Sequence, residues 1–485
     1  MQAIPQRRRQ PERHGAQACA ISNLVVPLAR QHRATAQRVT DTTGTRRPAR
    51  SGAVTPLIGT LARLRSSDAD STHGPSTRPT TPGIRTSTMA TRTTTTRTTT
   101  VGRVPSAEKS GRHFPDDQQG HAGPSFTDLV QAYLDCRRNK RNSPNALAFE
   151  QQAEQHLVAL YDELICGTYT PGRSICFIVT RPKPREVWAA DFRDRVVHHL
   201  LYNYIAPRFY SRFIADSCAC IPGRGTLYAA QRLENKVRSI TRNWQHPAYY
   251  LKCDLANFFV SIDKHVLRGQ IARRVTEPWW LRLADIILFH DPRQNFELHS
   301  APHLIARVPP HKRLTEQPAH LGLPIGNLSS QFFANVYLDA LDQRVKHRLR
   351  AHHYIRYVDD FLILHESAQW LNEALRDLSA WLPAKLHAHL NPKKTILQPI
   401  DRGIDFVGHV IKPWRRTTRR RTVSEAVLQV SRAKPQDVFT TANSYFGLLR
   451  QASHSYHDRA RLANAVRRRG HCIASGLLKT YRRSA

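Results

Sequence analysis

A chain of 485 residues with 40% hydrophobic side chains is long enough for more than one domain and a sizeable core, which excludes a small staple-dependent fold. Lys and Arg number 73 against 37 Asp and Glu, a formal net charge of +36, so the expected partner is a polyanion. No stretch approaches the roughly 18 consecutive apolar residues of a membrane span, and eight scattered cysteines without CxxC spacing support neither a disulfide framework nor a zinc site. A reducing, cytoplasmic setting without a membrane partner is the expectation.

Residues 1–122 are rich in Arg, Thr, Ser and Pro and lack the spaced apolar residues that offset ordering entropy, so this tail is expected to be disordered, either a basic arm or a passive extension. The charge signal does not depend on it, because 54 basic and 30 acidic side chains lie after residue 122. Met1 and Met89 are the only methionines, which leaves the start of translation open between them.

Order is expected from Ser125-Phe126-Thr127-Asp128, a helix-cap signal, with helical periodicity through Leu129 and Tyr133 and again from Leu147 to Leu164. Ser174 to Thr180 reads as a strand, 181–188 alternates prolines with cations, and a helix follows from about Arg193 to Tyr204. On that helix His198-His199 point in different directions, which suits packing or phosphate contact better than a metal. The stretch 279–320, with Trp279-Trp280 and Pro309-Pro310, reads as an irregular insertion, and a basic helical block spans about 425–468. Helices around a few non-sequential strands predict an α+β architecture.

The chemistry concentrates at Tyr357-Val358-Asp359-Asp360, two adjacent carboxylates at a tight turn inside an apolar run. Adjacent ionised acids repel, so one stays protonated unless a cation compensates. Magnesium takes one or two carboxylates plus substrate phosphates. A third acid, Asp254, ends the strand-like run 249–254, and three acids on two strands can hold two ions for phosphoryl transfer. Asp254 and Asp359 are expected to bridge both; Asp360 either joins or supports them, because neighbouring turn residues diverge. Strand alternation would place Phe258 in the core and turn the Phe259 ring toward an incoming sugar, where it clashes with a ribose 2′-OH. Between the acids, Gly322 to Asn335 forms a loop-to-helix junction in which Asn327 or Ser329 can cap the helix.

Taken in order, 193–199, Ile221-Pro222-Gly223-Arg224-Gly225-Thr226, Asp254 with Phe259, 325–331, Tyr357-Val358-Asp359-Asp360, Leu390-Asn391-Pro392-Lys393-Lys394-Thr395 and Phe406-Val407-Gly408-His409 resemble the successive motifs of prokaryotic reverse transcriptases over about 125–470. The branch most similar is that of diversity-generating retroelements, related to group II intron enzymes. The resemblance implies a right-hand polymerase: N-terminal helices and fingers over 123–248, palm over 249–411 with the 279–320 insertion, and a basic linker and helical thumb over 412–485. It implies a palm triad of Asp254, Asp359 and Asp360, with Leu255 beside the metals. It further implies nucleotide contacts from Lys183, Arg185, Arg193, Phe259, Ile325, Gly326, Gln331 and Lys394, the last placed to within one residue. Template or primer contacts would come from Arg224, Gly225, Asn327, Gly408 and His409.

Cofactors and partners implied are two Mg2+ ions, an RNA template, primer and cDNA, deoxynucleoside triphosphates and a small basic accessory protein. Cutting and template removal would come from partners, since no cysteine- and histidine-rich endonuclease pattern follows the thumb motif. Many reverse transcriptases carry Gln-Gly where this chain has Ile325-Gly326; losing that amide removes hydrogen-bonding support near the nascent pair, so error-prone copying is expected. An intron-like or abortive-infection-type enzyme with non-templated synthesis is the alternative. The basic stretch 412–421 would meet RNA or an acidic partner surface.

Overall fold

The computed structural model describes residues 123–138, 143–180 and 183–481; the expected tail over 1–122 lies outside them. The first helix, α1 (Phe126–Arg137), starts where the cap signal predicts: Asp128 N–H donates to Ser125 Oγ and the Asp128 carboxylate accepts from Ser125 N–H at 2.9 Å. The helix expected over 147–164 is two helices, α2 (Pro144–Gln151) and α3 (Ala153–Ile165), because Gln152 leaves the helical region at φ −133°. The break lets Phe149 and the Leu157, Leu160 and Leu164 stripe enter one core.

A finger hairpin follows, β1 (Ser174–Val179) antiparallel to β2 (Arg185–Ala189), and then α4 (Phe192–Tyr210) and α5 (Thr226–Ile240). Strand β3 (Tyr249–Asp254) ends at the first acid. Asn257 then takes a left-handed conformation at φ 50°, so Phe258 and Phe259 ride on a helical turn, α6 (Phe258–Ser261), and not on a strand as the alternation argument assumed. Phe258 is nonetheless core and Phe259 half-buried.

After α7 (Lys264–Ala272), the expected irregular insertion begins with a regular helix, α8 (Pro278–Phe289), in which Pro278 occupies the first turn where its missing N–H costs nothing. Trp280 on it stacks on Tyr204 of α4 with ring centroids 3.7 Å apart. Strand β4 (Phe296–Leu298) then joins β1 in parallel, giving a three-stranded finger sheet of order β2-β1-β4, and the short α9 (Pro302–Ala306) follows.

Helix α10 (Leu328–Gln343) leads to the hairpin β5 (His353–Tyr357) and β6 (Asp360–His365), then α11 (Ala368–Leu386) and β7 (Ile396–Pro399). The palm sheet has the order β5-β6-β3-β7, all antiparallel, and buries Leu251, Cys253, Ile355, Phe361, Leu362 and Ile363 almost completely. Strands β8 (Ile404–Phe406), β9 (His409–Lys412) and β10 (Arg415–Thr418) form a third sheet. The basic C-terminal block is three helices, α12 (Arg420–Arg432), α13 (Pro435–Leu449) and α14 (Tyr456–Arg467), with a hydrophobic cluster of its own built on Val423, Val430, Val438, Phe446 and Leu462.

Candidate active site

Register decides which acids meet. Six residues of β3 pair with β6, and the pairing places Asp254 directly across from Asp360 at the sheet end. Tyr357 pairs with Asp360, so Val358-Asp359 is the two-residue hairpin turn and Asp359 stands at its apex. Val358 occupies left-handed space at φ 56°, a strain of about 1–3 kcal/mol for a β-branched residue. Leu255 N–H donates to the Asp359 carbonyl at 3.3 Å, binding the turn to the end of β3.

What holds that strained turn is a side chain the motif reading passed over. Arg356 is fully buried within the apolar run and donates to Val358 O at 3.1 Å, Asn335 Oδ1 at 3.2 Å and Ser217 Oγ at 2.8 Å. Its charge is met by Asp342 of α10, also wholly buried, through Nε and Nη2 contacts of 2.7 Å. Burial alone would depress Arg356, but Asp342 holds its guanidinium above the usual value. Removing one partner of such a pair typically costs about 3–5 kcal/mol. A lone arginine in a buried strand, with two acids, Asp339 and Asp342, on the preceding helix, was the available signal.

The carboxylates are electrostatically crowded. Burial, and next the charge of Asp254, raise Asp359 above the ordinary aspartate range. Burial pushes Asp360 up to about 6 against the pull of Lys252, whose Nζ lies 3.3 Å from its Oδ2. Lys394 Nζ sits 2.6 Å from both oxygens of Asp254, and Asn391 N–H donates to the Asp254 carbonyl at 2.8 Å. Of the two lysines in that motif it is therefore Lys394 that reaches the acid.

Among the described residues no three acids, histidines or cysteines stand together at metal-ligating distance. The three acids act on one another, Asp254 raising both Asp359 and Asp360, while Lys252, itself anchored on Asp405 O at 2.8 Å, engages Asp360. The donor chemistry still fits a hard divalent ion, which needs only one or two carboxylates when substrate phosphates complete its shell. The Lys394 ammonium shows where the positive charge is wanted. Asp360 Oδ1 is buried without a hydrogen-bond partner, a further acceptor turned away from solvent.

Around this centre, Lys183 and Arg185 lie on the finger hairpin; burial and neighbouring cations, Lys394 and Arg185 among them, hold Lys183 below the usual lysine value while Asp254 opposes them. Phe259 is half-buried beside the acids' strand, its carbonyl accepting from Leu323 N–H at 2.8 Å. The loop before α10 is bolted to the fingers. Ile325 O accepts from Trp188 N–H at 2.7 Å, and Gly326 at φ 136° passes so close that a Cβ would stand 2.6 Å from Trp188 O. Asn327 holds the cap position of α10 but caps nothing with its side chain, which accepts from Ala190 N–H at 3.1 Å; Ser329 Oγ bonds His198 Nδ1 at 3.0 Å. Gln331 is half-buried in the first turn of that helix.

Other expected contacts are placed differently. Arg193 is engaged by Glu163. Arg224 donates to the carbonyls of Ile214 and Ser217 at 2.7 Å, so it shapes the finger loop, while Gly225 caps α5 with open space around it. His409 is wholly buried, pushed down to about 4 by burial and by Arg416, and presents no ring to a primer; Gly408, at φ 89° with nothing near its Cα face, does stand open.

Residues 182–411 match the family model described as reverse transcriptase (RNA-dependent DNA polymerase). The match covers just under half of the chain. A domain of this family is a nucleotidyltransferase, and the family uses divalent metal ions. The chain is also similar to a solved telomerase from Candida albicans in complex with a TWJ fragment of telomeric RNA, at 14% identity and a TM-score of 0.34, over 61% of this chain and 55% of that one. It therefore spans little more than half of that protein's length. No curated protein matches the chain.

The raised acids carry a pH signature. Folding favours the neutral forms of Asp359 and Asp360, so metal-free protein binds extra protons between the unfolded aspartate value of about 3.9 and the folded values, and stability falls as pH rises across that window. Asp359→Asn removes one of them. In EDTA, its denaturation midpoint is expected to gain on wild type as pH climbs from 4 to 8; curves that stay parallel would contradict the crowding.

Proposed function

We propose that this chain is an RNA-directed DNA polymerase that extends a primer into cDNA with deoxynucleoside triphosphates. The observation that carries the reading is the register that sets Asp254 beside the Asp359 turn, with Lys183, Arg185 and Lys394 close by. Asp254 and Asp359 would hold two Mg2+ ions, with the Leu255 carbonyl available next to them and Asp360 supporting from its pairing with Lys252. When bound, such a pair supplies charge stabilisation for phosphoryl transfer.

The chain's own side chains do the rest. Lys183 and Arg185 bind the triphosphate, and Lys394 exchanges Asp254 for the leaving phosphates. The Phe259 ring excludes a 2′-OH by occupying its space. The loop at Ile325 and Gly326 supports the nascent pair through its fixed seat on Trp188, and Gln331 follows on α10. Gly225 and Gly408 leave room for strand backbone, and the +36 charge suits nucleic acid.

Within that reading we infer error-prone copying of the kind found in diversity-generating retroelements, with a small basic accessory protein as partner. Its support is Ile325, a hydrocarbon where an amide would otherwise back the nascent pair.

Primer extension on an RNA template tests the whole. Asp254→Ala should lower extension at least about 100-fold, and Phe259→Ala should admit ribonucleotides that wild type rejects. Undiminished extension by Asp254→Ala would defeat the assignment. On the same template, Ile325→Gln should reduce misincorporation opposite adenine; an unchanged error rate would remove the diversity-generating reading and leave the polymerase intact.

A further inference from the structure

The insertion between the palm elements is fastened to the nucleotide side of the fingers. Strand β4 pairs with β1 from Ser174–Phe296 to Cys176–Leu298, and the chain continues along it, with His299 N–H donating to Cys176 O at 2.9 Å and Ser300 Oγ accepting from Ile178 N–H at 2.8 Å. Further on, the segment 308–317 is held rigid from within. Arg293 donates to Leu314 O at 3.3 Å and Gln317 O at 2.5 Å, and Arg313 donates to Val308 O at 2.7 Å.

The decisive tie is to Glu186, a buried acid in the middle of β2. Its carboxylate accepts from Leu314 N–H at 2.7 Å and from Thr315 Oγ1 at 3.3 Å, while the Leu314 side chain packs with Trp188 and Cys176. Glu186 is the neighbour of Arg185. Docking Leu314 there delivers Lys312, two residues earlier and exposed, to the same end of the fingers as Arg185 and Lys183.

The charges agree with that placement. After burial, the strongest influence depressing Lys183 is Lys312, ahead of Lys394 and Arg185, and the acid opposing them is Asp254. Among the described residues no carboxylate forms an ion pair with Lys183, Arg185 or Lys312. Lys312, Lys394 and Arg185 therefore all act on Lys183, with Asp254 the carboxylate opposing them. Like charges are brought together at a cost that a polyanion would relieve, and a triphosphate carries the charge to relieve it.

We propose that Lys312, supplied by the insertion, is a substrate-binding residue that contacts the phosphates of the incoming nucleotide alongside Lys183 and Arg185. The inference rests on the polymerase reading above. It makes the insertion a third wall of the nucleotide pocket, fixed in place by Glu186.

Single-nucleotide incorporation by the full chain on an RNA template tests it, with Lys312→Ala, Lys312→Arg and a control at the exposed Lys385→Ala. Lys312→Ala should raise KM for the deoxynucleotide about 10-fold, the size of one charge-assisted phosphate contact, with kcat changed by less than about 3-fold. Inhibition by added pyrophosphate should weaken in parallel, Lys312→Arg should recover most of both, and Lys385→Ala should match wild type. An unchanged nucleotide KM in Lys312→Ala overturns the proposal. So does a loss confined to primer–template affinity, which would assign Lys312 to strand phosphate. If wild type itself incorporates nothing while remaining folded, the polymerase reading falls and this inference with it, an outcome separate from a selective null at Lys312.

Discussion

The pairing of β3 with β6 is the constraint on which the rest depends. It is an antiparallel ladder of six residue pairs between segments about a hundred positions apart in the chain, and it ends with Asp254 opposite Asp360. A one-residue slip would turn every side chain to the other face and part the acids. The ladder's apolar members, Leu251, Cys253, Phe361 and Ile363, are all buried, so the hydrophobic effect that fixes the register also assembles the charge cluster. Core and site are set by the same pattern.

That assembly carries costs met by neighbouring groups. Val358 is strained, Asp359 and Asp360 are desolvated, and Lys183 sits among like charges. Arg356 and Asp342 hold the turn, Lys394 and Lys252 take up the carboxylates, and Glu186 ties Leu314 to β2. Each of these partners comes from a different stretch of chain. Local strain around the acids is thus supported by ion pairs and ladders drawn from several parts of the chain.

Much of this was legible in the sequence. The residue pattern placed the hairpin of Asp359 and Asp360, the strand ending at Asp254 and the loop before α10, because short-range patterning and punctuating glycines carry those features. What escaped was long-range or competitive. Phe258 and Phe259 continue an apolar run that looks like strand, but Asn257 turns the backbone left-handed. Asn327 and Arg193 have side chains suited to a cap and a phosphate, yet each finds a partner in the fold, Ala190 and Glu163. His409 stands in a strand-binding motif but its alternation turns the ring inward. Within the stretch that looked irregular, β4 escaped because its order comes from pairing with β1, which no local signal in a three-residue strand declares.

In the proposed polymerase, Asp254 and the Asp359 turn form one divalent-metal centre. Titrating Mn2+ into the full chain bound to RNA template, primer and a non-hydrolysable deoxynucleoside triphosphate, with free ion followed by electron paramagnetic resonance, tests it without reference to turnover. The account predicts two ions per chain, displaced by Mg2+, and the loss of at least one in Asp254→Asn. Full stoichiometry in that variant, or no binding in the wild type, would contradict it.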